Sequence, residues 1–412
     1  MKQALRKSAN SHGPLPPALA SRNAALDILS LVLDRNRPLD EAIEAALGRG
    51  EMDPRDRAFA RLLATTTIRR LGQVDNALSR LIEAKLPLRP EALMNLLRLG
   101  AAQLMFLETP PHAAVATAVD LAQAVGLGRG KGMANAVLRR LSREGATILG
   151  DQDTIRLNIP DWLRRRWVHA YGEEAVAAMA AQHLAEPPLD LTLRPGEDAA
   201  AWAQTLEATI LPSGTLRRPV GGRIESLPGF AEGKWWVQDV AATLPVLLFG
   251  DTKGKIVFDL CAAPGGKTMQ LVAGGATVTA VDRSAARLEI VRKNLERLGL
   301  TATLVTADAL AWKPPSGSTT GGALADLVLL DAPCTATGTT RRHPDIPLTK
   351  TPQDLIQLTR LQGELLERAT RLVRPGGTLV YCTCSLEPEE GDRKSTRLNS
   401  SHLARSRMPS SA

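Results

Sequence analysis

Asp259-Leu-Cys-Ala-Ala-Pro-Gly-Gly-Lys-Thr268 is the stretch on which the fold turns. The apolar run Lys255-Ile-Val-Phe-Asp259 leads into it and has the pattern of a strand buried on both faces. Met269-Gln-Leu-Val-Ala273 after it reads as a helix. A strand, a tight Gly-Gly turn and a helix gather backbone N–H groups and a helix N-terminus at a strand's carboxyl end, where open parallel sheets take their ligands. Gly265 and Gly266 carry no side chain to keep a ligand off the backbone. The spacing is neither Gly-x-Gly-x-x-Gly nor a Walker phosphate loop, so the turn alone leaves the ligand open.

Working outward, four more buried strands follow. Ala276-Thr-Val-Thr-Ala-Val281 ends at Asp282, about 20 residues past the glycine turn, where an acid accepts hydrogen bonds from ribose hydroxyls. Ala302-Thr-Leu-Val-Thr306 precedes Asp308. Leu324-Ala-Asp-Leu-Val-Leu-Leu330 ends in Asp331-Ala-Pro-Cys334, and Thr378-Leu-Val-Tyr-Cys382 ends in Thr383-Cys384-Ser385. An acid or a thiol at the end of each of five successive strands is more than a purely structural α/β domain needs. The intervening helices, Ser284 to Leu298 and Pro352 to Val373, complete a Rossmann-like α/β domain over residues 240–391, the second helix closed by Arg374-Pro-Gly-Gly377.

These motifs resemble the S-adenosylmethionine-dependent RNA 5-methylcytosine methyltransferases of the Sun/NOL/NSUN family. The resemblance is carried by Asp259 to Thr268, Asp282, Asp308-Ala309, Asp331-Ala-Pro-Cys334 and Thr383-Cys384-Ser385, and extends over residues 20–391. It implies S-adenosyl-L-methionine as cofactor and small-subunit (16S) ribosomal RNA as partner. Cys384 would then be the nucleophile, Cys334 the group that assists breakdown of the covalent intermediate, and Asp331 the acid on the cytosine edge and the donor's amino group. Asp282 would hold the ribose and Asp308 the adenine side. Cys261, Ala262, Ala263, Pro264, Gly265, Gly266 and Lys267 would line the methionine end, with Lys267 a candidate proton shuttle.

The residue types suit that chemistry. Cytosine C5 is a poor nucleophile, and a thiolate adding at C6 turns the ring into an enamine that attacks through C5. An unperturbed thiol, with a pKa of about 8.5, is only a few per cent ionised at neutral pH, so local activation is expected. DNA cytosine enzymes attack with a Pro-Cys cysteine; this chain also has Thr383-Cys384, which that logic leaves unexplained. Cys382 reads as a small buried hydrophobe. No metal site is expected, because the lone C-x-C, Cys382 and Cys384, has no second ligand pair.

Residues 1–20 read as a disordered basic leader. Residues 21–145 show helical periodicity throughout, with Asp53-Pro54 opening one helix and Pro90 another. This bundle resembles the NusB-like RNA-binding domain that precedes the catalytic part in bacterial members of the family. Gly126-Leu-Gly-Arg-Gly-Lys-Gly132 reads as a flexible loop, with phosphate binding as the competing use. Residues 146–160 read as a linker and 161–239 as a small α+β, ferredoxin- or RRM-like element. Within it Arg164, Arg165 and Arg166 are phosphate candidates, and Trp162 and Trp167 suit a core. Arg341 and Arg342, beside His343-Pro-Asp345, are candidates for substrate phosphate or for loop packing. Residues 392–412 are polar, basic and patternless. They read as a disordered tail foreign to the fold, one that would leave a sheet edge open where the family has a closing antiparallel hairpin.

Aromatic residues are only 3% of the chain, so its cores must be built from Leu, Val and Ala. The net charge of +8 is uneven: residues 1–150 carry 21 basic and 14 acidic side chains, so the front half is the part suited to nucleic acid. No run of 18 apolar residues suggests a membrane span, and the N-terminal basic residues lack a following apolar segment. Four unspaced cysteines fit a reducing cytoplasm, and a monomer is expected. The alternative is a non-catalytic RNA-binding scaffold built on the helical part.

Overall fold

Helix follows helix through the first half because prolines and short acids punctuate it. Pro17 and Pro111 occupy first-turn positions, where the missing N–H costs nothing, and the Asp53 carboxylate accepts the Arg55 N–H at 2.8 Å just ahead of Pro54. The computed structural model describes residues 15–48, 52–82, 91–219, 221–314 and 324–391, and the backbone of 403–407. Much of the leader, and Pro90, lie outside them; Pro17 already belongs to a helix, so the leader is shorter than expected. Two units emerge, one of residues 1–184 with His343–Thr349, the other of the remainder.

The first unit comprises α1 (Pro17–Leu29), α2 (Leu39–Leu47), α3 (Pro54–Arg69), α4 (Leu71–Leu81), α5 (Glu91–Met105), α6 (Pro111–Ala124), α7 (Lys131–Gly150), α8 (Thr154–Asn158), α9 (Asp161–Tyr171) and α10 (Glu173–Leu184). The apolar stripes of α1 to α7 merge into one core of Leu and Ala that includes Leu29, Leu63, Leu78, Leu97, Leu121 and Leu138. Helix α5 lies inside it, and α7 comes so close that a Cβ on Gly100 would stand 2.6 Å from Leu138 Cδ1.

Two domain boundaries differ from expectation. Residues 146–160 are largely helical, being the end of α7 and all of α8, and Asn158 is held by Gln73 of α4 through Gln73 N–H to Asn158 Oδ1 at 3.2 Å and Asn158 Nδ2 to Gln73 Oε1 at 2.9 Å. Residues 161–184 group with the bundle rather than with the α+β element. Trp167 is fully buried against His183, ring centroids 5.7 Å apart, and Arg69 donates to the His183 carbonyl at 2.8 Å. An apolar stripe does not say which core it joins; those contacts decide it. Of the triple arginine, Arg164 and Arg165 both pair with Asp161. The glycine-rich loop forms a 3-10 turn, Gly128–Gly130, leading into α7.

The second unit opens with β1 (Leu189–Leu193), α11 (Ala199–Thr205), β2 (Thr209–Ile210), β3 (Leu216–Arg218) and β4 (Trp235–Val237), an antiparallel sheet in the order β2-β3-β1-β4 around Leu191, Leu206, Leu216 and Trp235. It continues with α12 (Val240–Leu247), β5 (Ile256–Leu260), α13 (Gly266–Ala273), β6 (Thr277–Asp282), α14 (Ala285–Leu298), β7 (Thr303–Thr306) and β8 (Ala325–Asp331). The short α15 (Ile346–Thr349) falls in the first unit; α16 (Pro352–Thr370), β9 (Val373–Thr383) and β10 (Leu403–Arg407) complete the second.

All six strands of the larger sheet are parallel, in the order β10-β9-β8-β5-β6-β7. The chain winds one way from β5 through β6 to β7, then returns to β8 on the other side. The carboxyl ends of β5 and β8 therefore flank a topological switch point, where such sheets open a crevice. Strand β9 already begins at Val373, so Arg374 to Gly377 heads a strand instead of closing a helix, with an irregular register against β8 between Ala325 and Leu327. The tail is not wholly outside the fold: Leu403–Arg407 pairs parallel with β9, Leu403 opposite Leu379 and Arg407 opposite Thr383. Its parallel direction departs from the antiparallel hairpin that the resemblance implies. An open edge offers N–H and C=O groups to any extended backbone, so side-chain pattern gave no warning of it.

Candidate active site

The glycine turn is built by conformation. Gly265 has φ +102° and caps α13, and a Cβ there would lie 2.9 Å from Val291 Cγ1, so no other residue fits without strain. Among the described residues, four non-glycines have left-handed backbone, and two of them, Cys261 and Ala336, lie in the loops after β5 and β8. Such a conformation costs roughly 1–2 kcal/mol, and it persists here only because the surrounding loops hold it.

Asp259 lies inside β5 rather than after it, fully buried, and accepts the Thr268 hydroxyl at 2.6 Å. Burial, partly relieved by that bond, pushes its carboxyl up to about 7. Asp282, at the end of β6, is used by the backbone: its oxygens accept Ala263 N–H at 3.1 Å and Ser284 N–H at 2.9 Å. These bonds join the glycine turn to the loop after β6, and each carboxylate oxygen keeps a second lone pair. Asp308 is exposed, and its Oδ1 accepts Leu310 N–H at 2.9 Å.

Asp331, at the end of β8, makes an ion pair with Lys267 at 2.8 Å. Burial opposes the charge on Lys267, but Asp331, Cys382 and Cys384 outweigh it and hold the ammonium above the ordinary lysine range. A lysine so held is a donor and a fixed positive charge, which argues against its use as a proton acceptor. Burial pushes the Cys261 thiol up to about 12. Cys382 is fully buried, points its thiol at Asp331 Oδ1 across 3.5 Å, and is pushed up chiefly by desolvation.

Cys334 and Cys384, fifty residues apart in sequence, meet with their sulfurs 3.4 Å apart, both half-buried. The contact with Cys384 and burial raise the Cys334 thiol well above its usual range. Backbone ties hold the two loops: Gly338 N–H donates to the Cys384 carbonyl at 2.9 Å and Ala332 N–H to the Cys382 carbonyl at 3.0 Å.

Two buried acids, Glu390 and Asp190, carry no signal in the sequence. Glu390, wholly buried, grips Thr335 and Gln362; a Pro-Glu-Glu turn reads as solvated surface. Asp190, also wholly buried, takes a bidentate Arg217 at 2.8 and 2.9 Å and caps Val240 N–H. Arg342 is committed to Asp239 and to the Pro188 carbonyl, which favours loop packing over phosphate binding, and Arg341 donates to the Glu186 carbonyl. Gln238 accepts Trp236 Nε1–H and donates to Gln270 of α13, so the small sheet is fastened directly to the helix of the glycine turn.

Comparison with known proteins agrees with this layout. The profile described as 16S rRNA methyltransferase RsmB/F matches residues 246–406, and that of the NusB family matches 19–143. The first of these reaches into the tail that the motifs had left outside. A ribosomal RNA small subunit methyltransferase B of Xanthomonas campestris is 38% identical over 388 residues, covering 90% of this chain and 86% of the relative. A Synechocystis protein named probable ribosomal RNA small subunit methyltransferase B is 35% identical, covering 93% and 90%. The crystal structure of PH0851 matches with a TM-score of 0.73 at 21% identity, over 93% of this chain and 89% of that one, a likeness of fold. With its glycine turn, strand-end acids and paired thiols behind a helical NusB-family domain, the chain belongs to the RsmB/F family of 16S rRNA methyltransferases.

Proposed function

We propose that the chain transfers a methyl group from S-adenosylmethionine to C5 of a cytosine in small-subunit ribosomal RNA, through a covalent bond between Cys384 and C6. The observation that carries this reading is the pair of thiols 3.4 Å apart next to the Lys267–Asp331 ion pair, at the carboxyl ends of β8 and β9.

The crevice fits the cofactor. A side-chain-free turn capping α13 leaves backbone for the methionine end, and Asp282 and Asp308 at the next two strand ends suit ribose and adenine. Bound S-adenosylmethionine supplies a sulfonium-activated methyl group. Cys384, as thiolate, forms an S–C6 bond and pushes the ring electrons toward C5. Asp331, paired with Lys267, fixes the cytosine edge. C5 takes the methyl group as the donor's S–CH3 bond breaks, which would leave a neutral thioether, and the C5 proton then passes to solvent. The S–C6 bond breaks, restoring the C5–C6 double bond and freeing the thiolate, with Cys334 assisting this release. The reaction needs one copy of the chain and a reducing cytoplasm that keeps both thiols free.

Incubating 16S RNA with methyl-labelled donor and mapping 5-methylcytosine tests the reading. Cys334→Ala is expected to accumulate a protein–RNA adduct that survives denaturation, and Cys384→Ala to form none. The reverse pattern would reassign the nucleophile, and label appearing on a base other than cytosine would sink the proposal.

A further inference from the structure

Two reactive thiols on separate loops hold a fixed distance only if something fixes the loops. Cys334 follows β8 in an irregular segment and Cys384 follows the last residue of β9. The residues on both sides of Cys334 are gripped from below. Gln362 of α16 donates through Nε2 to the Pro333 carbonyl at 2.9 Å and to Glu390 Oε1 at 2.8 Å. The Glu390 carboxylate accepts the Thr335 N–H at 3.0 Å and also the Thr335 hydroxyl. Thr335 Oγ1 in turn meets Ser385 Oγ, next to Cys384, at 2.9 Å. The Glu390 backbone is anchored independently, its carbonyl accepting the Tyr381 hydroxyl at 2.7 Å.

We propose that Glu390 is a positioning residue that sets the approach of Cys334 to Cys384. The Thr335 N–H, the Thr335 hydroxyl and Gln362 Nε2 all donate to its carboxylate, so only an acceptor at both oxygens satisfies them. Gln362, Thr335, Ser385 and Glu390 are all buried, so water cannot replace a lost partner. A buried carboxylate carries a large desolvation cost, and one kept merely to fill space would be better replaced by an apolar side chain. Here that cost is met by donors drawn from the loop that holds Cys334, which turns the carboxylate into a clamp. Glu390 holds the sulfurs through Thr335, and its charge is among the lesser causes that raise the Cys334 thiol; removing that charge would by itself ease oxidation, so a slower crosslink in a neutral variant reports lost position. The clamp sets the distance between the sulfurs whatever reaction they serve. Its consequence for turnover rests on the reading of Cys384 and Cys334 given above.

The test separates the two. Diamide oxidises two neighbouring thiols to a disulfide, its azo bond taking up the two electrons and two protons, and needs no RNA or methyl donor. In the full-length protein a Cys334–Cys384 crosslink, mapped by peptide mass, is expected to form readily. Glu390→Gln, which places an amide donor against donors, is expected to slow it about tenfold and to lower kcat on the order of 10²-fold with little change in KM. Tyr381→Phe removes a bond to the same segment without touching the carboxylate, and is expected to lower the melting temperature while leaving the crosslinking rate within about twofold. Thr335→Val, which deletes the hydroxyl and with it the links to Glu390 and to Ser385 while keeping the Thr335 N–H bond, is expected to slow the crosslink by a smaller factor and decides the matter should Glu390→Gln fail to fold. Wild-type crosslinking rates in the folded Glu390 and Thr335 variants overturn the proposal, as does equal slowing in Tyr381→Phe. Slowed crosslinking in a protein that methylates nothing would support the clamp and defeat the functional reading.

Discussion

The helical unit and the α/β unit bury different things. Among the described residues of 17–184, the buried polar side chains are Ser21, Arg22, Thr67, Gln73, Asn95, Gln103 and His183, and the helical unit's one buried acid among the described residues is Asp345 of the segment His343–Thr349, which accepts the Leu39 N–H at 3.0 Å. The α/β unit buries Asp190, Asp259, Asp282, Glu387 and Glu390, most of them at strand ends or in the loops beside the thiols. The bundle is held by a continuous core of Leu and Ala, where any residue of the right size serves. Around the crevice, stability has been exchanged for placement, because each buried carboxylate must find specific donors. Damage should therefore separate: apolar cuts in the bundle cost stability, and polar cuts near the crevice cost chemistry.

That contrast can be broken at four points. The largest effect is expected from Cys384→Ala, with methyl transfer falling by at least about 10³-fold and the thermal transition of the α/β unit nearly unmoved. If activity survived, the crevice would not be the reacting centre. In the bundle, Leu138→Ala empties a fully buried site against α5 and is expected to cost about 2–5 kcal/mol, read by urea unfolding. The same variant should leave the diamide crosslinking rate unchanged. Gly265→Ala combines φ +102° with a Cβ 2.9 Å from Val291 Cγ1, and a loss of about 1–3 kcal/mol is expected together with weaker donor binding by calorimetry.

The subtlest effect is one of slope. Asp259 is raised from 3.8 to about 7 in the folded chain by burial. The folded state thus binds a proton that an unfolded aspartate has already released. Its contribution to stability is greatest below the unfolded pKa, falls as pH rises through the interval between the two values, and is level above about 7. Asp259→Asn should remove that fall, so the difference in urea midpoint between wild type and variant should change between pH 4.5 and pH 8, and a constant difference would place the Asp259 carboxyl at its ordinary pKa.

Much of the crevice could be read directly. Apolar runs of strand length ending in Asp282, Asp331 and Cys384 announce buried parallel strands with chemistry at their carboxyl ends, since a strand's side-chain pattern is local. Helix periodicity found the bundle for the same reason. It could not assign α9 and α10, because Trp167 buries itself equally well in any core; the bond from Arg69 of α3 to the His183 carbonyl ties the pair to the bundle. For Arg342 the sequence leaves phosphate binding and loop packing open, and the carboxylate of Asp239, about a hundred residues earlier, favours packing.

The succession of strands along the chain, the glycine turn, the acids that follow it and the presence of two cysteine motifs were determined by the sequence alone, because each rests on residues within a few positions of one another. Only the tertiary structure decided that Cys334 and Cys384 stand 3.4 Å apart, that Lys267 answers Asp331, and that Glu390 sits beneath Thr335. Those are pairings between loops far apart in the chain. Nothing local encodes them, and they exist only because the parallel sheet brings the ends of β5, β8 and β9 to one edge.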